Sequence, residues 1–97
     1  MDTHELIPAE ECCIHYQIQY SFVQSLHQSS LIDLIEMEEK VFIPSSQLHS
    51  LEKYIRLHYD LDINMEGLET IAHLLNCIEE LQQENLSLKN RLRLFEP

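Results

Sequence analysis

The last third of the chain carries the most regular hydrophobic pattern in the sequence. Its apolar residues fall at alternating steps of three and four, and so take positions a and d of nearly four heptads. The eight seam positions are Ile71, Leu74, Ile78, Leu81, Asn85, Leu88, Leu92 and Phe95. A narrow stripe of this period is typical of a coiled coil. The pattern therefore predicts a long C-terminal coiled-coil helix over residues 65–97.

Asn85 is the one polar residue of this seam and lies at an a position. An Asn there fixes the register and oligomeric state of a coiled coil at some cost in stability. The helix is polar on both sides of the stripe, so the stripe needs a second helix to cover it. We predict that a second copy of the chain supplies that helix, giving a homodimer. The alternative is packing against the chain's own head.

The charges beside the seam leave the direction of the paired helices open. In a parallel pair, Glu84 of one copy would face Lys89 of the other, and Arg91 would face Glu96. Both pairs are attractive. Each exposed pair contributes only roughly a few tenths of a kcal/mol, so other contacts easily override this preference.

The first part of the chain predicts a short helix over residues 8–16. Pro8 suits a first helical position, where a missing N–H is tolerated, and Glu10 and Glu11 complement the positive helix N-terminus. Within this helix, Ile14 is expected to point inward.

A second short helix follows a turn at residues 17–19. It begins at Tyr20 or Ser21 and ends near Ser29 and Ser30, with apolar residues at helical spacing. Two short helices joined by a few residues form a helix-turn-helix. The apolar positions of the second helix are Phe22, Val23 and Leu26.

A small β-hairpin is predicted directly after these helices. Residues 31–37 and 41–43 contain alternating or clustered branched apolar residues, and the polar stretch EMEEK joins them. A recognition helix followed by a hairpin wing is the shape with which many regulators bind DNA.

A third helix and a break complete the head. Pro44, Ser45 and Ser46 form a helix-start signal in which either serine can cap. The following helix carries Leu48, Leu51, Ile55 and His58 on one stripe. Residues 60–63 break it, and Asn64 is expected to cap the last helix. The predicted organisation is a head over residues 1–64 and a coiled-coil helix over residues 65–97.

Composition agrees with a mainly α fold and excludes several classes of protein. The chain has 97 residues, 44% of them hydrophobic, with one Gly and three Pro, which disfavours a loop-rich or disordered chain. No apolar run approaches the ~18 residues that span a membrane. The first residues do not form a signal-peptide start. We therefore expect a cytoplasmic protein that does not bind membranes.

The net charge of −11 is the strongest compositional feature, and it is unevenly distributed. Residues 1–44 hold eight acidic residues against Lys40 alone. Affinity for duplex DNA depends on Lys and Arg displacing phosphate counterions, so we do not expect nucleic acid to be the partner. Two interpretations remain: a solubilising acidic surface, or a docking face for a basic protein.

The sequence contains no pattern typical of an enzyme, a cofactor site or a metal site. It has no Gly-rich phosphate loop and no HExxH motif. Among six scattered histidines, only His73 stands at helical metal spacing from a cysteine, Cys77, and a third ligand is missing. Three cysteines without a CxxC spacing predict buried or half-buried free thiols.

The chain resembles a known family. Its winged helix-turn-helix, the segment LHYDLDINMEGLETIAHLL over residues 57–75, and its dimerisation helix are similar to the MerR family. The resemblance is closest to the chaperone-modulator branch, the CbpM family, through RLHYDLDIN at residues 56–64 and the heptad tail ENLSLKNRLRLF. MerR dimers cross antiparallel, so the resemblance implies that direction.

The resemblance implies a protein that binds and inhibits the J-domain of a DnaJ-like or CbpA-like co-chaperone. J-domains carry a basic helix that docks on the Hsp70 chaperone, and an acidic competitor suits that helix. Phe22 or Phe42 would supply an apolar anchor. The predicted partner-binding carboxylates are Glu10, Glu11, Asp33, Glu36, Glu38 and Glu39.

Two alternatives stay open. A MerR-like transcriptional regulator could bind DNA through Lys53, Arg56 and the cations of residues 89–93. The chain could also be a coiled-coil adaptor for an unrelated protein.

Overall fold

The computed structural model describes residues 5–95, so Glu96, invoked above for a parallel helix pair, lies outside the described residues. The order of elements is β1 (Leu6–Pro8), α1 (Ala9–Tyr16), α2 (Tyr20–Gln28), β2 (Ile35–Met37), β3 (Lys40–Pro44), a 3₁₀ turn (Ser45–Gln47), α3 (Leu48–Ile55), a π-helical turn (Arg56–Asp60) and α4 (Met65–Arg93). The fold is mainly helical with one small antiparallel sheet, as the sequence predicts.

Helix α1 begins one residue after Pro8, and its buried face differs from the predicted one. Ile14 is 78% exposed, so the expectation that it points inward is wrong. Ala9 and Cys12 are buried instead. These two residues are three apart and share one face of the helix, which Ile14 does not.

The sheet contains a strand that the sequence pattern did not predict. β1 pairs antiparallel with β3, and β3 pairs antiparallel with β2, giving the order β1-β3-β2. β1 has only three residues, too few for a period-two pattern to be recognised.

The hairpin wing is confirmed, but it is shorter than predicted. β2 begins at Ile35 and not at Leu31, because the preceding residues form a bend that buries Ile32 at 2% exposure. The turn consists of Glu38 and Glu39, both with positive φ angles of 52° and 66°.

Helix α3 starts without a serine cap, so the predicted capping role of Ser45 and Ser46 is wrong. After α3 the chain widens into the π-helical turn, where Leu61 donates its N–H to the carbonyl of Arg56 at 3.3 Å. The wider turn brings the ring of His58 onto Phe22, with centroids 4.7 Å apart and planes 18° from parallel. His58 also donates its Nδ1–H to the carbonyl of Ile63 at 2.8 Å.

The start of α4 is fixed by two residues. Asn64 caps the helix as predicted, because its Oδ1 accepts a hydrogen bond from the N–H of Gly67 at 2.8 Å. Gly67 is required by close packing, since a Cβ there would lie 2.6 Å from Cγ2 of Ile63. This tight joint connects the head to the long helix.

The hydrophobic core lies entirely in the head and the first turn of α4. Leu68 is the one buried residue of α4, and Met65 and Ala72 pack beside it. The radius of gyration of 17.6 Å exceeds the about 12.5 Å of a compact chain of this length, because α4 projects from the head. The core residues are Ala9, Cys12, Ile18, Phe22, Val23, Leu26, Ile32, Ile43, Leu51, Tyr54 and Leu68.

Candidate functional site

The most enclosed depression of the head lies between the start of α1, the start of α2 and the hairpin. Its volume is about 680 Å³. Tyr20, Val41 and Phe42 provide apolar surface within it, and all three are half-buried. Three glutamates line the same cleft: Glu10, Glu11 and Glu39.

A second depression of about 260 Å³ continues along α2 beneath the wing. It shares Tyr20 and Val41 with the first cleft, so the two join into one surface. Glu36 lines this second part, opposite the polar residues of α2. We call the joined surface the wing groove.

The wing groove brings together four of the six predicted partner-binding carboxylates. Glu10, Glu11, Glu36 and Glu39 line it, with Lys40 as the one Lys or Arg among the lining residues. Four carboxylates against one ammonium give this surface a negative field that attracts cations.

The other two predicted carboxylates lie apart from the groove. Glu38 occupies the exposed apex of the hairpin turn. Asp33 is also exposed, and its backbone N–H is donated to Oε1 of Gln47 at 3.3 Å, which holds it beside the 3₁₀ turn.

One of the two predicted apolar anchors is excluded and one is retained. Phe22 is 6% exposed and is stacked between the head and the π-helical turn, so it has no surface to offer a partner. Phe42 is half-buried and lines the groove.

Tyr20 is the aromatic groove residue that the sequence did not single out. It is the first residue of α2 and lies where the two depressions meet. Its signal in the sequence is weak, since an aromatic residue that opens a helix is usually a core residue. Only the position of the wing shows that the Tyr20 side chain is half-buried and faces the groove.

The face of α2 that looks toward the wing carries no Lys or Arg. Gln24, His27 and Gln28 line the groove, and His27 places Nδ1 3.3 Å from the carbonyl of Ile32. A recognition helix that binds phosphates requires cationic or strongly donating residues on this face. This helix lacks the cations.

The predicted dimer seam lies along exposed surface of α4. Leu74, Ile78 and Leu81 are 53%, 49% and 63% exposed, and the more distal apolar seam residues are also exposed, Leu88 at 51%, Leu92 at 61% and Phe95 at 85%. Among the seam residues, Ile71 alone is half-buried. The head of the same chain therefore does not cover the seam, which removes the alternative of packing against it.

The three cysteines are free thiols, buried or half-buried as predicted. Burial raises the pKa of Cys12 and of Cys13, and nearby carboxylates raise both further. Their thiols therefore stay protonated and weakly reactive near neutral pH.

His73 and Cys77 are neighbours on α4. Nε2 of His73 lies 3.8 Å from Sγ of Cys77. Among residues 5–95, no group of three or more His, Cys, Asp or Glu side chains is arranged to hold a metal ion.

A hydrogen bond joins α1 to α3 behind the groove. The hydroxyl of Tyr16 donates to Oε1 of Glu52 at 2.8 Å. Burial and this hydrogen bond raise the pKa of Tyr16 to about 12. The contact holds the first helix, and with it Glu10 and Glu11, against the head.

Across the described part of the chain, no helix has both the length and the hydropathy to cross a bilayer.

A short helix pair, a hairpin wing beside the second helix and a long helix leaving the head define the class of winged helix-turn-helix proteins. Residues 7–90 match the family described as MerR HTH family regulatory protein. That match covers most of the chain, so the protein belongs to this family. No curated protein and no solved structure matches the chain significantly.

Proposed function

We propose that this protein is a chaperone modulator that binds the J-domain of a DnaJ-like co-chaperone and inhibits it. The observation that carries the proposal is the wing groove, where four glutamates stand on the surface that a winged helix-turn-helix would turn toward DNA. The fold supplies the shape, and the inverted charge selects a basic protein in place of a polyanion.

Electrostatics supports this choice of partner. A carboxylate-lined groove repels phosphates and attracts a Lys- or Arg-rich helix, and such complementarity accelerates association and excludes wrong partners. The apolar surface at Tyr20 and Phe42 supplies contact area that charge alone does not. A J-domain helix held in this groove would be unable to dock on Hsp70.

The exposed seam of α4 supports a homodimer that presents two such grooves. Burying an apolar stripe along about 33 Å of helix, from residue 71 to the end of α4 at residue 93, is a sufficient driving force for association. Two linked sites would also raise the apparent affinity for a partner that has two J-domains.

Charge reversal tests the proposal directly. We expect Glu36→Lys, Glu38→Lys and Glu39→Lys together to weaken J-domain binding by roughly tenfold or more at low salt. The difference should shrink at high salt, where charges are screened beyond about 3–10 Å. Binding is measured by calorimetry, and inhibition by J-domain-stimulated Hsp70 ATPase activity.

The matched control changes the same amount of charge elsewhere. Glu69→Lys, Glu79→Lys and Glu80→Lys alter three exposed residues of α4 outside the predicted seam. This variant should bind like the unaltered protein. Equal affinity of the wing variant and the unaltered protein at low salt would refute the wing as the docking surface.

Membership of a helix-turn-helix family supports one alternative, a regulator that binds DNA. Its cations would be Lys53, Arg56 and those of residues 89–93, away from α2. A gel-shift assay on random duplex DNA at low salt separates the two functions. We expect no shift, and a shift that is lost on Lys53→Gln with Arg56→Gln would favour the regulator.

A further inference from the structure

The strand pairing assigns every residue of the small sheet to one of two faces. Directly paired residues share a face, and neighbours along a strand alternate. Ile7 pairs with Ile43, and Val41 lies two residues before Ile43 on the same strand. Ile43 is buried, while Ile7 and Val41 pack against the core. These three residues define the inner face.

The opposite face is apolar although it looks away from the core. Phe42 is central, pairing with Pro8 on one side and Ile35 on the other. Ile35 and Met37 are 36% and 51% exposed. Leaving aside its prolines, the side chains of this face do not pack against the core. We call it the outer sheet face; its apolar residues are Leu6, Pro8, Ile35, Met37, Phe42 and Pro44.

Such a surface is unusual for an antiparallel sheet. A sheet with one face on the core normally turns polar residues to water on the other face. Here Lys40, paired with Met37, is the only polar residue of the outer sheet face. Contiguous exposed apolar surface of this kind marks an interaction site.

The charges around the outer sheet face identify the chemistry of its occupant. The turn of Glu38 and Glu39 closes one end of the sheet, Glu5 precedes β1 at the other, and Glu10 follows β1 by two residues. Apolar side chains within an acidic border fit a segment with large apolar residues flanked by Lys or Arg. A second copy of this face is disfavoured, because it would bring the same carboxylates together.

We propose that the outer sheet face is a docking surface for a basic amphipathic helix of a protein partner. The helix would place its apolar side chains on Phe42, Ile35 and Met37, with its cations toward the glutamates of the turn. The proposal rests on the proposed function for the source of the helix, a J-domain protein. Phe42 and Pro8 belong to this face and also line the wing groove, so the two surfaces meet there. The outer sheet face adds an apolar contact that salt does not screen.

The methionines offer a direct test. Met37 lies on the outer sheet face, whereas Met65 packs against the core at the start of α4. With carbon-13 in the methionine methyl groups, the full chain is titrated with a synthetic amphipathic helix of Leu and Lys. A control peptide replaces every Leu by Ser and keeps the charge. We expect the Met37 resonance to move only with the Leu-Lys peptide, and the Met65 resonance to stay in place.

A second measurement uses the J-domain itself at high salt. Ile35→Thr with Met37→Gln should weaken binding about tenfold, because the apolar contact survives screening and these variants remove it. Ile14→Ala is the matched control, since Ile14 is a 78% exposed apolar residue of α1 outside the sheet. It should bind like the unaltered protein.

Each outcome decides between occupants. A Met37 shift of equal size with both peptides, with duplex DNA, or on concentrating the protein alone would overturn the proposal in favour of plain charge, nucleic acid or a second copy. J-domain binding that leaves Met37 unmoved, with no Met37 shift by the peptide, would refute this surface and leave the proposed function standing. A Met37 shift with the Leu-Lys peptide but no J-domain binding would support this docking surface and refute the proposed function.

Discussion

At the scale of single residues, the hairpin turn departs most clearly from what local preference favours. Glu38 and Glu39 both have positive φ angles, 52° and 66°. A two-residue hairpin turn of this kind strongly prefers Asn-Gly, because a Cβ is crowded in the left-handed region. Holding two glutamates there costs on the order of 1 kcal/mol each. Such strain is often retained at binding sites.

The turn therefore predicts a trade-off between stability and binding. Glu38→Asn with Glu39→Gly should stabilise the protein by about 1–2 kcal/mol, measured by urea denaturation. The same change should weaken J-domain binding several-fold, because it removes two carboxylates from the wing. Gln17→Gly is the control: Gln17 also has a positive φ, 57°, but ends α1 away from the wing groove. Gln17→Gly should stabilise the protein without changing its affinity for the J-domain. If the turn variant binds as well as the unaltered protein, the backbone strain at Glu38 and Glu39 serves a purpose other than binding.

Tyr16 gives a pH dependence with a defined sign. Its pKa is raised from 10 in the unfolded chain to about 12 in the folded one. The folded state holds this proton more tightly, so the associated stability is complete below about pH 10 and is lost as pH rises toward 12.

Tyr16→Phe should cost about 1 kcal/mol near neutral pH, because the hydrogen bond to Glu52 is lost. Its free energy of unfolding should also fall less steeply than that of the unaltered protein between pH 10 and 12. Tyr54, whose pKa burial also raises, is present in both proteins and cancels in the comparison. Parallel pH profiles would contradict the assignment.

At the scale of elements, α4 separates its charges along its length. Through residue 88 of this helix every charged residue is a glutamate, whereas Lys89, Arg91 and Arg93 occupy its last turns. In a parallel pair, like charges would lie side by side at both ends. An antiparallel pair brings the basic end of one helix to the acidic start of the other. This separation of charge favours the antiparallel direction. It outweighs the few exposed ion pairs that would favour the parallel direction.

Distance measurement between spin labels checks the direction. A label at Leu94→Cys, with Cys13 and Cys77 replaced by Ser, should report two labels on the order of 30–40 Å apart in an antiparallel pair. A parallel pair would place the labels within about 15 Å, as expected for adjacent helix ends. A short distance would therefore overturn the argument from charge.

The elements also show what the sequence could predict. The helices and the Asn64 cap were predictable because a 3.6-residue period and a capping side chain are local signals. β1 was missed because its three residues gain their structure from pairing with β3, a contact distant in sequence. Ile14 was misassigned because α1 is so short that a shift of one residue changes its buried face.

At the scale of the whole molecule, the candidate site was predictable only in charge. The acidic residues could be counted, yet only folding separates Glu36 in the groove from Asp33 beside the 3₁₀ turn. Phe42 was predicted as an apolar anchor, but the extent of the outer sheet face was not predictable, because it depends on the strand pairing and on β1, which the pattern did not indicate.

The open seam predicts that the molecule works as a pair. Leu81→Asp should give a monomer in sedimentation equilibrium, since a carboxylate would be buried between the helices without a partner. Leu86→Asp is the matched control: Leu86 is 57% exposed against 63% for Leu81 and lies outside the seam. It should leave the dimer intact, and dimers of both variants would exclude the a and d stripe as the interface.

The joint between head and helix acts as a lever. Beyond Leu68 nearly all of α4 is free of the head, so a change of about 10° at the joint displaces the far end by roughly 7 Å over the about 39 Å of helix that follow Gly67. Gly67 sets that angle, because any side chain there would push against Ile63. In the proposed homodimer, the smallest residue in the chain would therefore set how far apart the two heads lie, and so which distance between two bound partner domains the pair could span.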